Sequence, residues 1–382
     1  MRVLTVSSCP LDPMLGSGKT RLRWSEGLRG LGHDVDVLEP RDFELWRCAG
    51  RGLRFRQALG ATGAVLARMR ERNYELVEFF GGEFGLATRQ LARTRPRPFI
   101  VAHTDGFEIL ASEREREYDP ADYPLGELSR WVRRQTHDRL SRAAFVHADA
   151  FVTGCELDRK RVLELRMFSA QRTAVIAPGV DREYLIAPRD SSREARVAFT
   201  GSWITRKGVR YVVDVMSALL QERPALNLDL YGTSVPEQEV LRCFTSTVRR
   251  QITVFGRLSN QEIASKLSKT SIFFFPTQYE GFGMALAEAM ACGCAPVTTP
   301  TGFGAELEDH VEALICGFDN APAMKRNIAA LLDDPVLRTR ISAAAMRRVH
   351  GLSWPAQVGK LETVYRSWLM KGVIDAAPHS DA

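Results

Sequence analysis

Runs of apolar, often β-branched residues alternate with helical patterns from one end of the chain to the other, and nothing else in the sequence restricts the fold as strongly. In the first half the runs are Val3–Ser7, Val35–Leu38, Leu76–Phe79, Phe99–His103, Ala150–Thr153 and Thr173–Ile176. In the second half they are Val197–Thr200, Leu226–Tyr231, Ile252–Phe255, Ser271–Phe275 and Ala295–Thr299. Amphipathic segments of about 10–20 residues separate most of them. Near-continuous apolar strands joined by helices belong to parallel sheets covered on both faces, so the expected class is α/β with doubly wound sheets.

A length of 382 residues exceeds one ordinary core and suits two domains. The polar, proline-bearing stretch Pro178–Arg193 (PGVDREYLIAPRDSSR) reads as the linker. This predicts a Rossmann-like domain over 1–185 and a second over 186–354, with 355–382 crossing back. The helical pattern Trp354–Lys371 is then expected to pack on the first domain. The two domains are expected to face each other across a cleft lined by the carboxyl ends of their strands, where such sheets hold ligands.

Composition narrows the partners. Hydrophobic residues make up 45% and charged residues 26%, as in a soluble globular protein. No stretch approaches the ~20 apolar residues of a membrane span. The start, MRVLTVSSCP, reads as a buried strand rather than a secretory signal, so a cytoplasmic location is expected. The seven cysteines contain no C-x-x-C pair, and the close pair Cys292 and Cys294 lacks zinc spacing. The net charge of +6 comes mainly from arginine, dense between Arg41 and Arg72. Such a region suits a solvated helix face, and it also permits an anionic membrane surface, at the inner face, or a phosphorylated substrate. No nucleic-acid signature accompanies it, so no nucleic-acid partner is expected.

Two motifs imitate known sites without completing them. Residues 16–20 read GSGKT, but a P-loop needs glycine at position 13, where this chain has Pro13. The segment still reads as a glycine-rich turn between a first strand and a first helix, able to bring backbone N–H groups near a phosphate or sugar. Asp34-Val35-Asp36 imitates a metal-binding D-x-D, but within GHDVDVLEP at least one carboxylate is expected to point to solvent. No metal and no cofactor are expected.

The informative segment is SIFFFPTQYEGFGMALAEAMACGCAPVTTPTGFGA, residues 271–305. An apolar strand ends at Pro276, a loop follows, and strong helix formers run from Met284 to Cys292, stopping at Gly293. Gly281, Phe282 and Gly283 therefore precede a helix N-terminus at a strand's carboxyl end, a ready anion site. Glu280 stands at the mouth of the turn and Glu288 lies eight residues on. Were the span wholly helical, their carboxylates would lie ~12 Å apart. A hydrolase pair works at about 5–9.5 Å. The spacing instead suits two grips on one extended ligand with negative charge between them, the layout of sugar, diphosphate and ribose.

This Glu280-x7-Glu288 pattern, with EGFGMALAEAMACG and TGFGAE around it, resembles the retaining glycosyltransferases of the GT-B fold, family 4. The resemblance implies that Glu280 contacts donor-sugar hydroxyls, that Glu288 binds the ribose, and that the backbone from Gly281 to Met284 covers sugar and phosphates. VAFTGSWITRKGVRYVVDVM (197–216) resembles the family's phosphate segment, which places Gly201 and Lys207 against the diphosphate. Ser202 stands where the family usually carries arginine, and Arg206 is the candidate replacement. ITVFGRLSNQEI is similar to the segment whose backbone near Arg257 and Leu258 touches the base. In the first half, GSGKTRLRWSEGLRGLGHDVDVL places Gly16 near the donor, and VAHTDG places His103 beside the reacting sugar, with Asp105 a weaker neighbour.

The function so implied is retaining, metal-independent transfer of a sugar from a UDP- or GDP-linked donor. The acceptor hydroxyl is unidentified: a glycan, a lipid-linked glycan or a small molecule. His103, Lys207 and Glu280 are the expected catalytic group. The alternatives are a nucleotide-sugar-binding protein without transferase activity and a phosphorylase or epimerase of the same fold. A nicotinamide-dependent oxidoreductase is disfavoured, because no G-x-G-x-x-G follows the first strand.

Overall fold

A computed structural model describes residues 1–13, 15–45, 53–115, 131, 142–187 and 194–372. The first sheet contains β1 (Arg2–Ser7), β2 (Asp34–Leu38), β3 (Leu76–Phe80), β4 (Phe99–Thr104), β5 (Ala150–Thr153) and β6 (Thr173–Val175). The second contains β7 (Glu194–Thr200), β8 (Asn227–Tyr231), β9 (Ile252–Phe255), β10 (Thr270–Phe275), β11 (Ala295–Thr298) and β12 (Leu314–Ile315). Every strand expected from the sequence forms within three residues of its expected bounds. The two-residue β12 was not expected, because LI alone carries no periodicity.

The strand orders are β2-β1-β3-β4-β5-β6 and β12-β11-β10-β7-β8-β9, with parallel pairing throughout. The order reverses direction between β1 and β3 in one sheet and between β7 and β10 in the other. At such switch points consecutive crossovers leave to opposite faces, and a crevice opens beyond the strand ends.

Strand β10 shows why these runs are continuously apolar. All six of its residues are buried. Ile272 and Phe274 join Val212, Val215, Met216 and Leu219 of the helix Val209–Glu222 in one core. Phe273 and Phe275 stack on the other side with ring centroids 5.6 Å apart. Each buried phenylalanine contributes on the order of 1.5–3 kcal/mol, so a polar residue at any of the four would be costly.

The described residues group into two units. One comprises 1–13, 15–45, 53–113, 131, 142–177 and 354–372; the other comprises Arg114, Glu115, 178–187 and 194–353. Residues 178–187, read above as the start of a linker, are built into the second unit. Tyr184 is fully buried there, and Val180 N–H donates to Leu352 O at 2.6 Å. Residues 188–193 lie outside the described set.

The final helix, Trp354–Gly372, packs on the first unit as its pattern predicts. Trp354, Val358, Leu361, Tyr365 and Trp368 form its buried stripe, spaced three or four residues apart as one helix face requires. Trp354 meets Trp24 edge-on at 5.5 Å, and Trp368 Nε1 donates to Gln171 O at 2.9 Å.

Candidate functional site

The loops after β7 and β10 meet at the switch point of the second sheet. After β7 the chain passes Gly201 and Ser202 and makes a short turn, Thr205–Lys207, before the helix at Val209. After β10 it runs from Pro276 to Gly283. Gly208 has φ +70°, and a Cβ there would lie 2.0 Å from Pro276 O, so no other residue fits where the two loops touch. Arg206 O accepts from Gln278 N–H at 2.8 Å, and Thr277 Oγ1 lies 3.1 Å from it. The Arg206 guanidinium in turn donates to Tyr279 O at 3.1 Å.

This stitching brings Lys207 onto Glu280. Lys207 Nζ donates to Glu280 Oε1 at 2.6 Å, and Thr277 Oγ1 donates to the same oxygen at 2.8 Å. Burial alone would raise the Glu280 carboxyl. The charges of Lys207 and Arg206, with hydrogen bonds from Lys207 and Thr277, outweigh it and hold the group below its ordinary value.

The EGFG turn is braced from behind by the segment after β11. Glu280 N–H donates to Thr301 Oγ1 at 3.0 Å, and Phe303 N–H donates to Phe282 O at 2.7 Å. The rings of Phe282 and Phe303 stack at 5.0 Å. Gly302, at φ +53°, is required here, since a Cβ would sit 2.5 Å from Phe282 O. Gly281, Phe282 and Gly283 lead into the helix Met284–Ala291, whose N-terminus has no side-chain cap and no acidic residue in its first turn. Its positive end therefore stands beside the Lys207–Glu280 pair without a carboxylate of its own helix to offset it.

Glu288 is buried on that helix. Its neighbour is Tyr184, whose phenol is pushed far up by burial first and then by the Glu288 charge. Tyr184 Oη donates to Asn260 Oδ1 at 3.3 Å, and Asn260 Nδ2 donates to Asp181 Oδ2 at 2.8 Å. No local pattern connects these residues, since they come from three separate elements. Two further polar atoms at this strand end escaped notice: Thr200 Oγ1 and Gln278 Nε2 are buried without a hydrogen-bond partner.

Ser202 meets another hydroxyl, Ser234 Oγ, at 3.4 Å, so this position supplies no cation. Gly201 N–H is tied to Tyr231 O at 3.0 Å. Arg257, exposed, and Leu258, partly buried, lie between β9 and the helix Asn260–Leu267.

Gly16 and His103 belong to the first unit. Gly16 opens the helix Gly16–Gly30, so GSGKT forms the helix's first turns, not the glycine-rich turn expected ahead of it. His103, at the end of β4, stacks on Phe80 at 4.2 Å, and its Nε2 lies 2.5 Å from Tyr365 Oη. Asp105 pairs with Arg21 at 2.6 Å. Both carboxylates of the D-x-D imitation are engaged: Arg72 bonds Asp34 and reaches Asp36 at 2.8 Å, and Tyr74 Oη donates to Asp36 at 2.5 Å. The Cys292 and Cys294 thiols are buried against backbone carbonyls.

Much of the basic 41–72 region is also paired, mostly by acids outside that stretch. Arg41 meets Glu39, Arg54 meets Glu83 and Arg72 meets Asp34 and Asp36, while Arg56 meets Glu44 within it. Residues 46–52, which carry Arg47 and Arg51, lie outside the described set.

Residues 183–348 match the family model of glycosyl transferases group 1, and residues 16–179 match that of the glycosyl transferase 4-like domain. An uncharacterized glycosyltransferase from Methanocaldococcus jannaschii is 27% identical over 195 residues, 51% of this chain and 53% of its own length. The chain therefore spans about half of that relative. A D-inositol 3-phosphate glycosyltransferase from Corynebacterium glutamicum is 23% identical over 349 residues, covering 85% of this chain and 80% of its own. Among solved structures, a sucrose-phosphate synthase from Thermosynechococcus elongatus superposes with a TM-score of 0.79 at 19% identity, covering 97% of this chain and all of the other.

Proposed function

The chain belongs to the group 1 glycosyl transferases and has the GT-B fold, and we propose that it transfers a sugar from a nucleotide diphosphate sugar to an acceptor hydroxyl, retaining the anomeric configuration and using no metal. One observation carries this reading: Lys207 and Glu280 are joined at the switch point, beside an uncapped helix N-terminus.

Departure of the diphosphate breaks the bond between the anomeric carbon and a phosphate oxygen and leaves negative charge on that oxygen. Lys207, Arg206 and the helix end at Gly283 are held at this strand end to meet this charge, and positioned charge of this kind is usually the largest single contribution to such catalysis. The acceptor oxygen bonds the anomeric carbon from the same side, and its proton passes to the departing phosphate. Glu280, held ionised, accepts from sugar hydroxyls and orients the ring. Glu288 accepts from the ribose hydroxyls. Arg206 takes the place of the cation missing at Ser202, from a position fixed by its bond to Tyr279 O.

UDP and GDP, UDP first, are the nucleotides we assign to the donor, and phosphorylated polyols are the first acceptors to test, given the relative named for inositol 3-phosphate. Calorimetric titration with both diphosphates, followed by NMR of the anomeric product formed from the better donor, tests the whole reading. Failure of both nucleotides to bind would overturn it. Binding without turnover on any acceptor would make the chain a nucleotide-sugar-binding protein instead.

A peripheral contact with an anionic membrane at the inner face is a second proposal, favoured by one observation. On the helix Leu53–Glu71, Phe55 is 60% and Leu53 49% exposed, flanking Arg54. No helix among the described residues is long and apolar enough to cross a membrane. Co-sedimentation with vesicles containing anionic lipid should fall when Leu53 and Phe55 are changed to serine; unchanged co-sedimentation would remove the helix from any such contact.

A further inference from the structure

The first unit contains a buried polar group that the mechanism above does not use. Glu78 lies on β3 and is fully buried. Thr5 and His103 flank it from the neighbouring strands: Thr5 is its register partner on β1, and His103 on β4 lies two positions beyond the residue facing Glu78. Tyr365 of the final helix reaches between glutamate and histidine, from 287 and 262 residues away in sequence.

The hydrogens in this group can be assigned in turn. Thr5 Oγ1 donates to Glu78 Oε1 at 2.5 Å. Burial pushes the Glu78 carboxyl up, but the hydrogen bond and charge attraction from His103, with hydrogen bonds from Thr5 and Tyr365, outweigh it and hold it below its ordinary value. A carboxylate only accepts, so the single Tyr365 hydrogen goes to Glu78 Oε2. The Tyr365 oxygen, 2.5 Å from His103 Nε2, must then accept, which requires a hydrogen on Nε2. The Glu78 oxygen at 3.4 Å from Nε2 favours the same hydrogen. Among the described residues no hydrogen bond reaches Nδ1.

We propose that Glu78 and Tyr365 are positioning residues that fix His103 as the tautomer protonated on Nε2, leaving Nδ1 as a hydrogen-bond acceptor at the end of β4 for a hydroxyl of the transferred sugar. This rests on the reading of His103 as a donor-sugar contact. The proton arrangement can be tested without any substrate. The stacked Phe80 ring fixes the imidazole plane, and the Glu78–Tyr365 pair fixes which nitrogen carries the hydrogen; both are needed for Nδ1 to act as a fixed acceptor.

The test is long-range ¹H–¹⁵N correlation NMR on the full chain labelled at histidine, with His103 assigned by its loss in His103→Gln. A protonated Nε2 and an unprotonated Nδ1 are expected; the reverse tautomer would overturn the proposal. Glu78→Gln presents an amide N–H to the Tyr365 oxygen, turns the Tyr365 hydrogen toward Nε2 and should reverse the tautomer. Tyr365→Phe keeps the ring packing and leaves only the Glu78 oxygen at 3.4 Å to hold the hydrogen on Nε2, so the Nε2-protonated form should fall in population without reversing; if Glu78→Gln fails to fold, this variant carries the test. An unchanged His103 signature in the folded variants would overturn the relay. In steady-state assays Tyr365→Phe should raise the donor KM about 3–10-fold with little change in kcat, the size of one neutral hydrogen bond. A shifted tautomer with unchanged KM would overturn the sugar contact while sparing both the relay and the transferase reading.

Discussion

Lys207 Nζ lies 2.6 Å from Glu280 Oε1, so the cation proposed for the diphosphate and the carboxylate proposed for the sugar offset each other's charge. The side chains are 17% and 9% exposed. Removing one member therefore strands the other with little water around it, at a cost of about 3–5 kcal/mol. Lys207→Ala should lower turnover ~10²–10³-fold, as loss of a charge partner for the leaving group does, and should also lower the melting temperature. A near-native rate by direct product assay would remove Lys207 from the site.

Stability and catalysis can be separated at the same pair. Lys207→Met combined with Glu280→Gln leaves no stranded charge, so the double variant should melt closer to the wild type than Lys207→Ala does. Its activity should remain lost. Recovery of activity along with stability would show that the pair serves the fold alone.

Glu288 offers a cleaner reading of nucleotide binding, because it is not a member of that ion pair. Glu288→Ala should weaken binding of the nucleoside diphosphate about tenfold or more, as loss of a charged acceptor to ribose hydroxyls implies. Isothermal calorimetry with the 2′-deoxy and 3′-deoxy nucleotides supplies the control, since they should bind the variant and the wild type more equally. Unchanged affinity in Glu288→Ala would end the ribose assignment.

The metal question turns on Asp34 and Asp36. Both are held by Arg72, Arg2 also pairs with Asp34, and Asp36 also accepts from Tyr74, so two cations face the two carboxylates. Activity should persist in EDTA, and Asp36→Asn should lower stability by about 1 kcal/mol, as loss of a part-exposed ion pair does at most, with no new metal dependence. Strict dependence of the rate on a divalent ion would reverse this reading.

Periodicity and local motif were enough to read the strands, the amphipathic last helix and the neighbourhood of Glu280, because each depends on residues close in sequence. The 262-residue separation of His103 and Tyr365 shows where such reading stops. Nothing near either residue records that a tyrosine oxygen will fill the space beside Nε2. The same holds for Tyr184, whose segment looked like a polar linker although its ring ends beside Glu288. GSGKT misled for a local reason: it reads as a turn by composition, yet Gly16 to Thr20 continue straight into the helix. The dense arginines of 41–72 looked unmatched because their acids, Asp34, Asp36, Glu39 and Glu83, sit outside that stretch.

Glu108, partly buried at the start of the helix Glu108–Glu115, gives a pH prediction independent of substrate. Burial and the nearby Glu83 charge push its carboxyl up to about 8, against bonds from its own and the Gly82 N–H. A raised folded value means that the folded protein holds a proton which the unfolded chain releases near pH 4.5. The stability from the neutral form is complete below that pH and is lost as pH rises toward about 8. Glu108→Gln keeps the neutral shape at every pH, so its urea midpoint should decline less than that of the wild type over this range. Parallel midpoints across the range would mean that Glu108 titrates as it does in water, with Glu83 and burial exerting no net effect on it.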